Sequence, residues 1–391
     1  MLRYKPTLPA LPTQWALTVL QGLAVLLAAL PVTLPAQDTA QLTRVWQQEW
    51  PRTDFSRHAV DLREIVSGGP PKDGIPPIDK PAFVSPVEAD RWLAADEPVL
   101  VFAHAGDARA YPLQILIWHE IVNDVVGDRP VVVTFCPLCN SALVFERRVQ
   151  GMVLDFGTTG KLRHSDLVMW DRQTESWWQQ LTGEAIVGEL MGTRLTALPA
   201  PLVAYGTFRT AYPQGRVLSR DTGRQRDYGS NPYVGYDNPA IRQPFLLRGA
   251  PDGRVPAMER VVALELGGEA KAYPYGELAK VGAVNDRVGG LDVVVLHRSG
   301  TRSALDGHAI ATSRDVGTGA VFERAVQGRT LTFELREGAL LDRETGTRWS
   351  LLGQALDGPL QGQRLAPVVH GNHFAFAWLA FRPQSAIYRA P

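Results

Sequence analysis

Two stretches of this chain repeat each other in order, and that repetition limits the folds open to it more than any other feature. Ala110-Tyr111-Pro112 recurs as Ala272-Tyr273-Pro274, and Val122-Asn123-Asp124 recurs as Val284-Asn285-Asp286, both at a step of 162 residues. Val144-Phe145-Glu146-Arg147 returns as Val321-Phe322-Glu323-Arg324, Asp171-Arg172-Gln173-Thr174 as Asp342-Arg343-Glu344-Thr345, and Trp178 as Trp349. A kept order of this kind predicts two tandem, internally duplicated halves, residues 95–220 and 260–391, joined by a loop-rich bridge over 221–259. A wrapping segment, 37–94, precedes them.

Within each half the pattern is that of short strands. Val99 to Phe102 and Arg129 to Phe135 read as strands, and Ala142–Val149 pairs with Met152–Phe156 across Gln150-Gly151. Gly157-Thr158-Thr159-Gly160 breaks the ladder that follows. Leu113 to Val122 has apolar residues at helical spacing and predicts a short helix. Glycine and proline together make about a sixth of the chain, above ordinary usage, which favours tight turns over long helices. The expected class is mainly β with short helices, a β-rich α+β fold. The run Ser67-Gly68-Gly69-Pro70-Pro71-Lys72-Asp73-Gly74-Ile75-Pro76-Pro77 suits neither a helix nor a central strand and reads as a surface wrap.

The N-terminus reads as an export signal. Arg3 and Lys5 precede the apolar stretch Trp15 to Leu30, and Leu34-Pro35-Ala36 is a cleavage site of the expected kind. Residues 1–36 are therefore set aside, and the mature protein is expected outside the cytoplasm, periplasmic or secreted. A membrane anchor follows only if the signal stays uncleaved. The chain balances 40 basic against 40 acidic residues, and Arg3 and Lys5 leave with the signal, so the remainder stands near −2. No basic excess attracts nucleic acid.

The only two cysteines are Cys136 and Cys139, in Thr134-Phe135-Cys136-Pro137-Leu138-Cys139-Asn140. The repeat supplies an internal comparison. Asn123, Asp124 and the Asp171 run persist in both halves and read as turn and cap chemistry. The cysteines do not persist: a step of 162 lands on Arg298 and Thr301, while His119 lands on Val281 and Glu120 on Gly282. A CxxC that follows a strand and precedes another resembles a metal knuckle more than the helix-opening CxxC of thiol exchange. The motif is not CxxCH, so no haem attachment is indicated, nor is a nucleotide site. Two thiolates with an imidazole suit copper or zinc, and the expected ligands are Cys136, Cys139 and His119, with His164 behind them. Glu120 is a candidate base, read otherwise as a surface carboxylate, and His370 with His373 forms a second spacing of metal-ligand type. Lys72 and Asp73 sit on the Gly-Pro loop, either over the site or on plain surface.

Four motifs in order carry a family resemblance: the Gly-Pro run from Ser67, Trp118-His119-Glu120-Ile121-Val122-Asn123-Asp124, the Thr134–Cys139 stretch, and Leu167-Val168-Met169-Trp170-Asp171-Arg172-Gln173-Thr174-Glu175-Ser176. From about Phe55 to its end the chain resembles the bacterial domain-of-unknown-function 3179 family. The resemblance implies export and carries no established activity. The family pattern differs at His164, which sets that residue behind His119. The residues leave three functions open: a metal-binding or metal-delivery protein with a metal acceptor as partner, a thiol–disulfide protein or enzyme acting through Cys136 and Cys139 with a redox partner, and a ligand-binding module using the aromatic bridge Tyr228–Tyr236 and the Trp-rich segment.

Overall fold

The computed structural model describes residues 39–391; the stretch expected to be an export signal lies outside the described residues. The expected β-rich architecture is present, with six α-helices among the described residues, the longest being Thr39–Glu49. None of them is long and apolar enough to cross a membrane.

Each stretch begins with the same unit. Pro98–His104 pairs antiparallel with Asp107–Pro112, and Arg260–Leu266 pairs with Glu269–Pro274. Both hairpins turn through two residues of positive φ, Ala105-Gly106 and Gly267-Gly268, the turn that matches strand twist. A short helix follows in each, Leu113–His119 and Tyr275–Val281. Next comes a three-stranded antiparallel sheet: Ile121–Val126, Arg129–Cys136 and Ser141–Glu146 in one, Ala283–Val288, Leu291–Arg298 and Thr318–Glu323 in the other. A ladder of four strands follows in each, with Ile65–Ser67 added to the first as a fifth, and with a register shift at Trp177/Trp178 and at Arg348/Trp349.

The motifs shared by the two stretches hold these units together. Asn123 brackets the Phe156 backbone with two hydrogen bonds, of 2.8 and 2.9 Å, and Asn285 does the same to Phe333, at 2.8 Å each. Tyr111 donates to Asp124 (2.6 Å) as Tyr273 does to Asp286 (2.7 Å). The Trp178 indole donates to Asp171 (2.8 Å) and the Trp349 indole to Asp342 (2.9 Å). These carboxylates are spent on structure, as their recurrence suggested.

Three of the sequence expectations change. The hairpin across Gln150-Gly151 narrows to Arg148–Val149 with Met152–Val153, because Ser141–Glu146 pairs instead with Arg129–Cys136 and Phe156 opens a strand of its own. The helix from Leu113 ends at His119, because Glu120 adopts the left-handed conformation (φ 58°) and Ile121 opens a strand. Gly157–Gly160 does not break the ladder: Phe156–Arg163 runs through it with a shift between Thr158 and Lys161. Gly160 is required there, since a Cβ would lie 1.9 Å from the Pro70 carbonyl oxygen.

The two stretches interleave. One core joins Val131, Val133 and Phe135 to Phe374, Phe376 and Trp378, and another joins Val99, Val101 and Ala110 to Val294, Leu296 and Trp349. Asn140 Nδ2 donates to the Asn372 carbonyl (3.2 Å), and Thr318 Oγ1 to the Leu202 carbonyl (2.5 Å). Residues 39–391 accordingly form one compact unit.

Candidate metal centre

The turn between Arg129–Cys136 and Ser141–Glu146 presents both sulfurs. Cys136 closes the first strand opposite Ser141. Pro137 sets the start of a 3-10 turn, and Asn140 ends it in the left-handed conformation with its N–H bonded to the Pro137 carbonyl, a conformation Asn tolerates better than most residues. Both thiols are free and buried.

The third group comes from the neighbouring ladder. Phe156–Arg163 and Asp166–Asp171 meet through His164 and Ser165, both of positive φ. That turn carries Asp166 to the sulfurs and sets the Ser165 carbonyl 3.7 Å from Cys136 Sγ. One ligand atom each from Cys136, Cys139 and Asp166 lies within 4.8 Å of the others, and all three residues are buried. Asp166 Oδ2 accepts from Gln179 Nε2 (2.6 Å) and the Leu181 N–H (2.9 Å). Its Oδ1 is buried, takes no hydrogen bond from any N–H or O–H of the described residues, and is left to the two thiols.

The site's electrostatics are uniform. Burial pushes the Asp166 carboxyl up to about 6 and both thiols above their ordinary range. Burial, with the Asp166 charge added, pushes Glu120 up to about 8. Glu120 is 7% exposed, and no hydrogen bond reaches its carboxyl among the described residues. No Lys, Arg or His there pairs with Glu120 or Asp166. Burial thus drives the two thiols and Glu120 toward their protonated forms and disfavours the Asp166 charge, and a bound cation would take the place of those protons.

The other sequence candidates lie elsewhere. His119 is buried, but its Nδ1 bonds the Pro76 carbonyl (2.7 Å) and its Nε2 the Tyr228 hydroxyl (2.6 Å). The helix end aims it at the Gly-Pro run and the bridge, and the group converging with the sulfurs contains Asp166 in its place. His164 sits 3.5 Å from Glu64 and edge-on to Phe381. His370 holds the Val368 carbonyl and His373 stacks on Trp378; neither joins the cluster. Glu120, read as a surface carboxylate, is inside. The Gly-Pro run is more than a surface wrap: Asp73 and Ile75 bond Thr158, and Gly68, Pro70 and Ile75 line the cavity beside Glu120.

Residues 72–385 match the family described as protein of unknown function DUF3179. The chain belongs to that family. Neither the curated proteins nor the solved structures yielded a match. In this DUF3179 protein the chemistry available is that of the Cys136, Cys139 and Asp166 cluster. Asp166 was the residue that sequence reasoning missed. One signal pointed to it: it follows a hairpin turn whose counterpart, Glu337-Gly338, is followed by Ala339.

Proposed function

We propose that this is an exported metal-binding protein whose centre is Cys136, Cys139 and Asp166, and that zinc is its metal. The observation carrying the reading is the convergence of two buried thiols on the Asp166 carboxyl, whose Oδ1 takes no hydrogen bond from any N–H or O–H of the described residues. Two thiolates and a carboxylate bring three negative charges. Zn(II) leaves one of them uncompensated in the apolar pocket, whereas Cu(I) leaves two and prefers softer ligands than a carboxylate. Three protein ligands leave the fourth tetrahedral position open.

The same burial argues against thiol–disulfide exchange as the main role. Thiols held above their ordinary pKa and shielded from partners are slow nucleophiles. Metal handling between proteins would need the site to open, and Asn140 and the bridge are the elements that would have to move.

Elemental analysis of the full-length protein, recovered from the compartment to which it is sent, tests the reading. About one zinc per chain is expected, falling to none in Cys136→Ser/Cys139→Ser and well below one in Asp166→Ala, with His119→Ala unchanged. Metal-free wild type that also gives no thiolate charge-transfer band with Co(II) sinks the proposal.

A further inference from the structure

A cavity of about 280 Å³ lies beside the sulfurs, lined by Glu120, Leu138, Leu167, Tyr233, Tyr236 and Phe245 among others. Leu138 separates the two cysteines in sequence and Leu167 follows Asp166, so the cavity adjoins the turns that carry the cluster. The bridge supplies the three aromatic residues. Phe245 is anchored through its carbonyl to the Ser165 hydroxyl.

Two polar groups of this lining are left over. The Tyr236 hydroxyl is buried, lies beside the Phe245 backbone, and donates its proton to no group among the described residues. The Glu120 carboxyl has no hydrogen bond among the described residues. Glu120 is held, moreover, in a backbone conformation (φ 58°) that costs an L-residue about 1–2 kcal/mol. The equivalent helix end in the other stretch keeps the same conformation with Gly282 (φ 70°), where a Cβ would meet Leu335 at 2.4 Å. One stretch therefore fills this place with leucine, and the other keeps it open and puts a strained carboxyl on it. Strain of this sort collects where a ligand is held.

The dimensions and lining define the ligand. An apolar cavity of about 150 Å³ holds benzene, so this one takes a substituted or fused pair of rings. Flat aromatic walls suit a ring system. An apolar lining penalises an ionic ligand, and Lys161, the one cation of the lining, is turned over the Trp50 ring (4.6 Å). We propose that the cavity binds a small uncharged aromatic alcohol or phenol, its ring among Tyr233, Tyr236 and Phe245 and its hydroxyl turned to Glu120 and Tyr236.

Equilibrium dialysis of the full-length protein against 1-naphthol, naphthalene and 1-naphthoate, each with and without chelator, tests this. One 1-naphthol per chain is expected, with naphthalene and 1-naphthoate each about tenfold weaker. Glu120→Leu and Tyr236→Phe should each narrow the preference over naphthalene several-fold, and Leu138→Trp should abolish binding with the near-UV circular dichroism of a folded chain retained. Failure of folded wild type to bind 1-naphthol, a preference for 1-naphthoate, or binding indifferent to Leu138→Trp overturns the proposal. The metal reading fails separately: zinc absent with 1-naphthol bound contradicts that reading alone, and zinc present with 1-naphthol unbound contradicts this one alone.

Discussion

The sheet Ile121–Glu146 and the sheet Ala283–Glu323 are built alike, yet one ends in a buried acidic cluster and the other in none of its members. Where Cys136 closes its strand, the other stretch has Arg298, exposed to solvent, followed by a long excursion to Thr318 in place of a four-residue turn. Where Asp166 follows a hairpin turn, Ala339 does so. Glu120 is matched by Gly282. The excursion carries Ser303 and Arg314, which bond the buried Asp237 of the bridge. Both ends bond the bridge, one through Ser303 and Arg314 and the other through His119 and Ser165, but only the latter also keeps the thiols, Asp166 and Glu120 buried under it. The difference teaches that the scaffold does not need the cluster: the same strands, latches and turn geometry stand without it.

If that contrast is right, the largest effect belongs to the sulfurs. Cys136→Ser/Cys139→Ser should remove all bound metal and, with it, the stabilisation that ligand binding brings, about 4 kcal/mol when free metal exceeds its dissociation constant a thousandfold. Thermal unfolding with and without chelator should show a midpoint shift in the wild type and none in the double variant. Equal shifts in both would remove the cluster from the account.

Exchanging the helix-end residues sharpens the comparison next. Gly282→Glu should destabilise by about 3 kcal/mol or more, since the side chain must displace Leu335 from a packed site. Glu120→Gly should instead stabilise the metal-free protein by about 1–2 kcal/mol, through relief of backbone strain. Urea unfolding checks both, and a destabilised Glu120→Gly would contradict the strain argument.

The two sheet ends should also differ in their response to pH. Glu120, raised from 4.5 to about 8, contributes stability below pH 4.5 that is lost as pH rises through 8. His297, beside the other sheet end, is lowered by burial from 6.5 to about 4. Its contribution is intact above pH 6.5 and is lost as pH falls towards 4. Metal-free protein should therefore weaken on both sides, and Glu120→Gln should flatten the alkaline side only. Unfolding midpoints across pH 4–9 give the readout; an alkaline side unchanged in Glu120→Gln would count against the buried carboxyl.

The smallest expected effect is a symmetry. Trp178→Phe and Trp349→Phe each remove one indole hydrogen bond to a buried aspartate, and each should cost about 1.5–3 kcal/mol, within error of the other. A several-fold inequality would show that the two ladders are not equivalent supports.

Much of this arrangement was legible in advance because it is local or repeated. Period-two alternation and Gly-containing turns marked the strands, and recurrence separated the structural Asn123, Asp124 and Asp171 from the cysteines. Glu120 was hidden because helical spacing continues past it through Ile121, and only tertiary packing decides that the helix stops. His119 misled through nearness in sequence: the last turn of its helix points it away from the sulfurs. Asp166 reaches them through strand pairing about thirty residues downstream, and the long excursion after Arg298 breaks the fixed step of 162 that exposed the other differences.

X-ray absorption at the zinc edge of the full-length protein tests the central claim most directly. Cys136, Cys139 and Asp166 predict two sulfurs near 2.3 Å and a carboxylate oxygen near 2.0–2.2 Å. A shell without sulfur, or one with the scattering pattern of an imidazole that vanishes in His119→Ala, would contradict it.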